Sequence, residues 1–313
     1  MIVVTGGSGF LGSHLVRRLA EEGRPVRVMV RSRARAEQEG RLNGLAVEWA
    51  EADVTRPESL ARALDGAAAV IHTAAIAVEK GNLSYETINY QGTVNVVEAA
   101  KAQNVRRLIN VSQMGADAAL SYRFLASKGK AQEYVAASGL DWTAVRPSVL
   151  WGPEDEFANT FARLVPLSPL VYPIVDRNAR FQPIWVEDVV TALVKMVDDP
   201  ATTGQEYELG GPEVLTLEQI ERRVLRAVGA RRLLVPFPKP LLKLVVALME
   251  SLLPNPPVTR SLLELLAVDN VPERNEIRRF VAEPSRFTWE NVTGYMRRFT
   301  LRETLAMFFG KSG

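Results

Sequence analysis

The sequence predicts an α/β protein built on a doubly wound parallel sheet, followed by a smaller and mostly helical C-terminal lobe. Three features support this fold class. Short β-branched runs alternate with longer helical patterns, and the runs are continuously apolar, as in strands covered on both faces. A glycine-rich turn joins the first run to the first helical pattern. After Pro147 the pattern changes to short runs punctuated by prolines.

The elements of the first domain follow in order from this alternation. The predicted strands are IVVT, PVRVMV, VEWAEAD, AAVIHTAA, RRLINVS and DWTAVRPSVL, and the helical patterns run to Gly23, through VNVVEAAKAQNV and up to Ala137. FQPIWVEDVVTALVKMV then returns to a strand and helix pattern. We therefore assign residues 1–150 and about 181–204 to the sheet domain, and about 151–180 and 205–313 to the second lobe.

Composition excludes several classes of function. The chain of 313 residues has no cysteine and only two histidines, His14 and His72, so disulfides, thiolate sites and a histidine-rich metal site are ruled out, and no metal is predicted. The net charge is only +2 and the basic residues are dispersed among acids, so we expect no nucleic-acid partner.

The chain begins in a predicted strand, and its longest apolar run does not reach membrane-spanning length. LLKLVVALMESLL contains 13 residues, with Lys243 and Glu250 among them, whereas a spanning helix needs ~20. We expect a cytoplasmic protein, with peripheral contact at the inner face of the membrane as an open alternative.

The turn TGGSGFLG predicts a dinucleotide-binding site, because it lies between a strand and the helix SHLVRRLAEEG. Gly6 suits the tight turn, Gly9 lets the backbone approach a pyrophosphate, and Gly12 lets helix and strand pack closely. Phe10 and Leu11 open the helix, whose free N–H groups and partial positive charge favour phosphates. The alternative is a glycine-rich turn without a ligand.

The end of the second strand favours NADP(H) over NAD(H). An NAD-selective site would carry an acid about twenty residues after the glycines, whereas this chain has Arg31 and Ser32 there. Arg31 is suited to pair with a 2′-phosphate, and Ser32 or Arg33 can join it. The alternative is that Arg31 stacks on adenine or faces solvent, in which case NAD(H) is the cofactor.

Motifs along nearly the whole chain resemble the extended short-chain dehydrogenase/reductase superfamily, which includes NAD-dependent epimerases and dehydratases. They are TGGSGFLG, EADVTRPESL, VIHTAA, TINYQGTVNVVEAA and WTAVRPSVLWGP. VSQMGAD, RPSVLWGPEDEFANTFARL, FQPIWVEDVV and YELGGPEVLTLEQI are most similar to the atypical branch that contains the nucleotide-binding accessory subunit of respiratory complex I. The resemblance implies a Rossmann domain with bound NADP(H), a variable C-terminal lobe and weak or absent catalysis.

The resemblance also implies further site residues. The positions that it assigns to the cofactor are Asp53 and Val54 at the adenine, Thr73, Ala74 and Ala75 along the dinucleotide, and Pro147 to Val149 beside the nicotinamide. Ser112 lies near the place of the catalytic hydroxyl, and Lys128 matches the catalytic lysine, which also binds the ribose.

The segment YRFLASK departs from the family pattern at its catalytic position. Active members carry a tyrosine four residues before the lysine, where this chain has Phe124, and they carry a serine or threonine where it has Gln113. The tyrosine exchanges a proton with the substrate, which requires its pKa to fall by about 3 units, or roughly 4 kcal/mol. In a regular helix Tyr122 lies about 200° from Phe124, so only a non-helical start would let it substitute.

The second lobe leaves its partners open. Five aromatic residues lie in or next to its first segment, namely Trp151, Phe157, Phe161, Tyr172 and Trp185. They either cover the nicotinamide and favour an apolar ligand such as a quinone, or form the core of the lobe. The second interpretation is preferred. The helix PKPLLKLVVALMESLLPNPP is expected to be buried in the lobe, with a protein partner or a membrane surface as the alternatives. The two functional hypotheses are a cofactor-holding protein and an active oxidoreductase or epimerase acting on an apolar carbonyl.

Overall fold

The computed structural model describes residues 1–266 and 268–310, which form two compact units. The first unit comprises residues 1–147, 186–209 and 273–283, and the second comprises residues 148–185, 210–272 and 284–313. Residues 205–209 and 273–283 therefore cluster with the first unit, whereas the sequence had assigned them to the second lobe. The reason is pairing across the sheet, since residues 205–209 add a strand to its edge. Residues 181–185 cluster with the second unit, whereas the sequence had assigned them to the sheet domain.

The bounds of the regular elements follow chain order. The strands are β1 (Ile2–Thr5), β2 (Val26–Val30), β3 (Glu48–Glu51), β4 (Ala69–His72), β5 (Arg107–Val111), β6 (Asp141–Pro147), β7 (Leu150–Trp151), β8 (Val171–Ile174), β9 (Arg180–Phe181), β10 (Ile184–Trp185), β11 (Gln205–Leu209), β12 (Leu215–Thr216) and β13 (Leu233–Pro236). The helices are α1 (Phe10–Glu21), α2 (Arg33–Glu39), α3 (Pro57–Leu64), α4 (Gly92–Ala102), α5 (Arg123–Ala136), α6 (Ala158–Leu164), α7 (Val186–Asp198), α8 (Leu217–Ala227), α9 (Lys239–Leu252), α10 (Arg260–Leu265), α11 (Ile277–Phe280), α12 (Trp289–Thr293) and α13 (Leu301–Phe309). A π-helix at Glu86–Gln91 leads into α4.

The first unit is a parallel sheet in the order β11-β6-β5-β4-β1-β2-β3. The chain moves outward from β1 in one direction and then in the other, so the strand order reverses between β1 and β4. In such a sheet, ligands bind outside the carboxyl ends of the strands at the point of reversal. The predicted doubly wound fold is confirmed, and its topology places a candidate site where β1 and β4 end.

The core of the first unit follows from the continuous apolar runs of its strands. Val3, Val70 and Leu108 lie on neighbouring central strands and are almost completely buried against apolar residues of α3 and α4. At ~25 cal/mol per Å² of apolar surface removed from water, this burial is the main stabilising contribution to the sheet. It also fixes the strand ends that carry the candidate site.

The second unit has its own core, in which the aromatic residues of the C-terminal region are packed. Trp151 and Tyr172 are buried, and Phe157, Phe161 and Trp185 pack against the same cluster. Trp151 contacts Trp185 with ring centroids 4.4 Å apart. These residues therefore form core structure, as the preferred interpretation of the sequence had it.

Helix α9 differs from the expectation that it is buried in the second lobe. Val246 is buried, but four leucines of the same helix are exposed; they are Leu241, Leu244, Leu248 and Leu252. Within the described residues, no helix combines the length and the hydrophobicity that crossing a membrane requires.

Candidate functional site

The glycine turn between β1 and α1 closes on itself through backbone contacts. The Gly9 amide donates to the Gly6 carbonyl at 2.9 Å, and Gly6 has a left-handed φ of 66°. A Cβ on Gly12 would lie 2.2 Å from the Gly6 oxygen, which is a direct clash. Gly6 and Gly12 are therefore required by the turn itself, as the sequence predicted from their spacing.

Gly9 has a different role, because the protein leaves the space beside it largely open. Its backbone is extended, with φ −71° and ψ 176°, and a Cβ there would approach only the Gly6 carbonyl, at 3.1 Å. Gly9 is the N-cap of α1, and no side chain caps this helix end. The first N–H groups of α1 therefore have no partner within the helix and are available to an anion.

A cavity of about 290 Å³ lies at the end of this turn. Eleven of the predicted cofactor-binding residues line it, namely Gly6, Gly9, Phe10, Leu11, Gly12, Arg31, Asp53, Val54, Thr73, Ala74 and Ala75. The volume is near the lower end of the range for ligand pockets and suits the adenosine and phosphate portion of a dinucleotide. Residues from four separate parts of the sequence thus meet where the sheet topology placed the candidate site.

The position predicted to recognise a 2′-phosphate is occupied by an exposed arginine. Arg31 lines the cavity and makes no hydrogen bond or ion pair with the part of the chain that the structure describes. Ser32 is the N-cap of α2, and its hydroxyl accepts from the Arg35 amide at 3.3 Å. Arg33 pairs with Glu37 at 2.8 Å. Of the three residues predicted for this role, Arg31 alone lines the cavity.

Arg41 was missed by the sequence analysis. Its guanidinium donates to the Ser8 carbonyl at 2.9 Å, which places a positive charge beside the glycine turn. The residue follows α2 in a loop, without a motif to mark it. The apolar lining residues Met29, Ile76 and Ile88 were also missed. The signals for them were that Met29 lies in the predicted strand PVRVMV, Ile76 follows Ala75, and Ile88 lies in the motif TINYQGTVNVVEAA.

Lys128 is buried inside the first unit, with only 6 % of its surface exposed. Its ammonium donates to the Val111 carbonyl at 2.8 Å, at the end of β5. Burial lowers the pKa of the Lys128 ammonium to about 8. The adjacent Ser112 hydroxyl is buried and has no hydrogen-bond partner among the described residues. The two predicted catalytic positions Ser112 and Lys128 therefore lie close together, but neither lines the cavity.

Phe124 is buried at the position where active members of the family carry a tyrosine. Only 7 % of its surface is exposed, and its ring packs edge-on against Tyr85, with centroids 5.4 Å apart. Tyr122 is not part of α5, because the helix begins at Arg123 and Tyr122 has an extended backbone with φ −76° and ψ 106°. The separation of about 200° between Tyr122 and Phe124 in a regular helix therefore does not apply. The segment has the non-helical start that Tyr122 would need to substitute for the missing tyrosine.

The two histidines are structural. His72 lies between the Thr5 and Thr93 hydroxyls, at 2.7 and 3.0 Å. Burial, with a smaller effect of the Lys128 charge, lowers the pKa of His72 to about 3. Because the Thr93 hydroxyl donates to the Asn89 carbonyl, it must accept from Nε2 of His72. His14 contacts Glu187 at 2.5 Å.

The remaining predicted positions lie after β5 and β6. Pro147 is the last residue of β6, and its carbonyl accepts a hydrogen bond from the Met114 amide at 3.1 Å. Val149 belongs to the second unit, where its amide donates to Asn270 Oδ1 at 2.7 Å. Within residues 1–266 and 268–310, no group of three or more histidines or carboxylates could hold a metal ion.

Comparison with known proteins identifies the family of the chain. A family model described as NAD(P)H-binding matches residues 6–171, which include the glycine turn from Gly6 onward and every residue lining the cavity. The chain belongs to this NAD(P)H-binding family. The cavity is thus in the part of the chain that carries the family's nicotinamide dinucleotide site.

Two curated relatives span most of the NAD(P)H-binding chain. A ceramide reductase of Caulobacter vibrioides is 30% identical over 292 residues, covering 92% of this chain and 90% of that protein. The 40 kDa subunit of NADH-ubiquinone oxidoreductase from Neurospora crassa is 27% identical over 301 residues, covering 93% of this chain and 78% of the subunit. The resemblance to the branch that contains the complex I subunit is confirmed, and reductases are related as well.

A solved structure confirms the fold. The UDP-glucose 4-epimerase of Thermus thermophilus in complex with NAD superimposes with a TM-score of 0.64, covering 94% of this chain and 99% of the epimerase, at 22% identity. The similarity supports an epimerase-like Rossmann architecture, which matches the sequence prediction. At this identity, it concerns the fold alone.

Proposed function

We propose that this NAD(P)H-binding protein holds NADP(H) tightly and has weak or absent reductase activity. The cofactor then serves structure, redox sensing or assembly beside a respiratory or quinone-linked system. One observation carries the proposal: a well-formed nucleotide cavity is combined with a buried phenylalanine at the position of the catalytic phenol.

The chain's own residues fit the dinucleotide. The open N-terminus of α1 can receive the pyrophosphate, and the space beside Gly9 lets it approach the backbone. When bound, the cofactor supplies a nicotinamide that can accept or donate hydride. Lys128 is proposed to orient the nicotinamide half of the cofactor by donating to its ribose hydroxyls, because the ammonium has further N–H donors besides the one that bonds the Val111 carbonyl.

Proton transfer is the part of the chemistry that the chain does not support. A catalytic phenol must be stabilised as its anion by roughly 4 kcal/mol to act near pH 7. Phe124 has no proton to transfer, and its ring is held in an apolar contact with Tyr85. Without a phenol at position 124, Lys128 is suited to holding the cofactor.

The preference for NADP(H) rests on Arg31. Its guanidinium is exposed at the cavity and engages no acid of the described chain, so it is available to a 2′-phosphate. The link to a respiratory system is supported by the similarity to the Neurospora NADH-ubiquinone oxidoreductase subunit.

The decisive experiment combines nucleotide identification with turnover. Mass spectrometry of the nucleotide released from the purified protein is expected to give NADP⁺ or NADPH. Oxidation of bound NADPH by ceramide-like ketones and quinones, followed by absorbance, is expected to be negligible for the native protein. If Phe124→Tyr gains turnover while its NADPH affinity is unchanged, the missing phenol is the cause. Rapid multiple turnover by the native protein would refute the proposal.

A second candidate is an NAD(P)H-dependent oxidoreductase or epimerase acting on an apolar carbonyl or a quinone-like substrate. Two observations favour it, namely the extended backbone of Tyr122 outside α5 and the 30% identity to a ceramide reductase. In this alternative, Tyr122 is the proton donor. Loss of turnover in Tyr122→Phe, with nucleotide affinity retained, would establish it and overturn the first candidate.

A further inference from the structure

Helix α9 of the second unit exposes a stripe of leucines on one face. Leu244, Leu248 and Leu252 have 61, 56 and 68 % of their surface exposed, and Leu241 is also exposed. At 100° per residue, these four side chains fall within an arc of about 80°. Val246, which is buried, lies on the opposite side of the helix. The helix thus packs by one apolar face and presents another to solvent.

Helix α13 of the same unit carries a second exposed stripe. Leu301, Leu305 and Phe309 are spaced by four residues and are all exposed. Asn255, three residues after α9, joins the two helix ends. Its side chain donates to the Gly310 carbonyl at 2.7 Å, and its amide donates to the Phe308 carbonyl at 3.3 Å. The Leu252 end of one stripe is therefore held near the Phe309 end of the other.

A basic cavity of about 230 Å³ lies in the same unit, and none of its lining residues is acidic. Arg232 and Arg298 line it. Arg232 donates to the Ser168 carbonyl at 2.6 Å, whereas Arg298 makes no hydrogen bond or ion pair with the described chain. Leu233, which directly follows Arg232, is 67 % exposed, and Leu301 lies three residues after Arg298. Arg232 and Arg298 therefore lie close in the sequence to exposed apolar residues of the same unit.

We infer that the second unit docks on an anionic phospholipid membrane. The leucine stripes of α9 and α13 enter the boundary between headgroups and acyl chains, and Arg232 and Arg298 bind lipid phosphates. Apolar helix faces with adjacent cations have the combination that anionic bilayers attract. Helix α9 is about 21 Å long, at 1.5 Å per residue, which suits lying in the interface of a bilayer whose core is ~30 Å thick.

The charge pattern favours lipid over a protein partner. The cores of protein interfaces are enriched in aromatic residues, methionine and arginine, whereas six of the seven exposed stripe residues are leucines. The arginine cavity has no acid of its own to neutralise it, and a lipid phosphate supplies that charge. This inference concerns the second unit and does not depend on the proposed function of the nucleotide site.

Flotation of the full-length protein with vesicles tests the inference. Phosphatidylcholine vesicles containing phosphatidylglycerol are expected to carry the protein upward, and pure phosphatidylcholine vesicles to carry much less. The double variant Leu244→Glu/Leu248→Glu should bind the anionic vesicles at least about tenfold more weakly. Arg298→Gln should reduce the difference between the two vesicle types. Val214→Glu, a matched change at an exposed position of the same unit outside the stripes, should bind like the native protein.

Circular dichroism and urea unfolding establish that each variant is folded. If the double variant does not fold, Leu305→Glu on α13 provides the same test. Failure of the native protein to float with anionic vesicles would overturn the inference, and so would unchanged flotation of the folded stripe variants. A native dimer that ignores vesicles and dissociates in the double variant would assign the stripes to a second copy of the chain, which equally overturns it.

Discussion

The substitution Gly9→Ala tests whether glycine is required at this position for nucleotide binding or for folding of the turn. A Cβ on Gly9 would meet only the Gly6 oxygen, at 3.1 Å, and the φ of −71° suits any residue. The change therefore fills space beside the nucleotide cavity, and it requires the Gly6 oxygen to shift by only a few tenths of an ångström. Gly12→Ala is the contrasting variant, because its Cβ would lie 2.2 Å from the same oxygen.

The expected magnitude follows from the hydrogen bonds that a displaced pyrophosphate loses. A hydrogen bond to a charged group contributes about 1.5–3 kcal/mol, so losing one weakens NADPH binding roughly 10- to 150-fold. The cost to folding is smaller, because replacing an N-cap glycine by alanine destabilises by about 1 kcal/mol or less. Gly9→Ala should thus lose far more binding free energy than unfolding free energy.

Isothermal titration calorimetry with NADPH and urea unfolding of the same samples measure the two quantities. Gly66→Ala is a useful control, since Gly66 has a φ of 68° and open space around it, remote from the cavity lining. It should lose stability through backbone strain while keeping its NADPH affinity. Unchanged affinity in Gly9→Ala, or a loss of affinity fully matched by a loss of stability, would refute the assigned role of Gly9.

Two further predictions concern cofactor choice and a buried acid. Arg31→Ala should weaken NADPH binding at least about tenfold and leave NADH binding nearly unchanged. Arg35 is an exposed arginine of α2 that does not line the cavity, so Arg35→Ala should leave the affinity for both nucleotides unchanged. Equal losses of NADPH and NADH affinity in Arg31→Ala would contradict the 2′-phosphate role. Burial raises the pKa of Glu221 to about 8, so the native state holds a proton that the unfolded chain releases above its ordinary pKa, and stability falls as pH rises from about 4.5 to 8. Glu221→Gln should remove this loss, which is about 4 kcal/mol between pH 4.5 and 8. Urea melts at pH 5 and 8 that give the same difference between the two proteins would contradict it.

The cavity was largely predictable because its parts are local in sequence. Gly6 to Gly12 and Thr73 to Ala75 each follow a strand that an apolar run marks, and Asp53 and Val54 follow the predicted strand VEWAEAD. In a parallel sheet, segments that follow strands meet at one edge, so the strand order alone brings them together. Arg41 could not be found in this way, because its contact with Ser8 depends on the path of a loop.

The sequence by itself determined the doubly wound sheet, the nucleotide turn and the absence of a phenol at position 124, since each depends on residue type and short-range spacing. Tertiary structure alone decided that α5 begins after Tyr122, that Lys128 is buried with a lowered pKa, that β11 joins the sheet, and that one face of α9 remains exposed. Burial and pairing depend on which distant segments meet. Periodicity therefore identifies two apolar sides of a helix without determining which of them is covered.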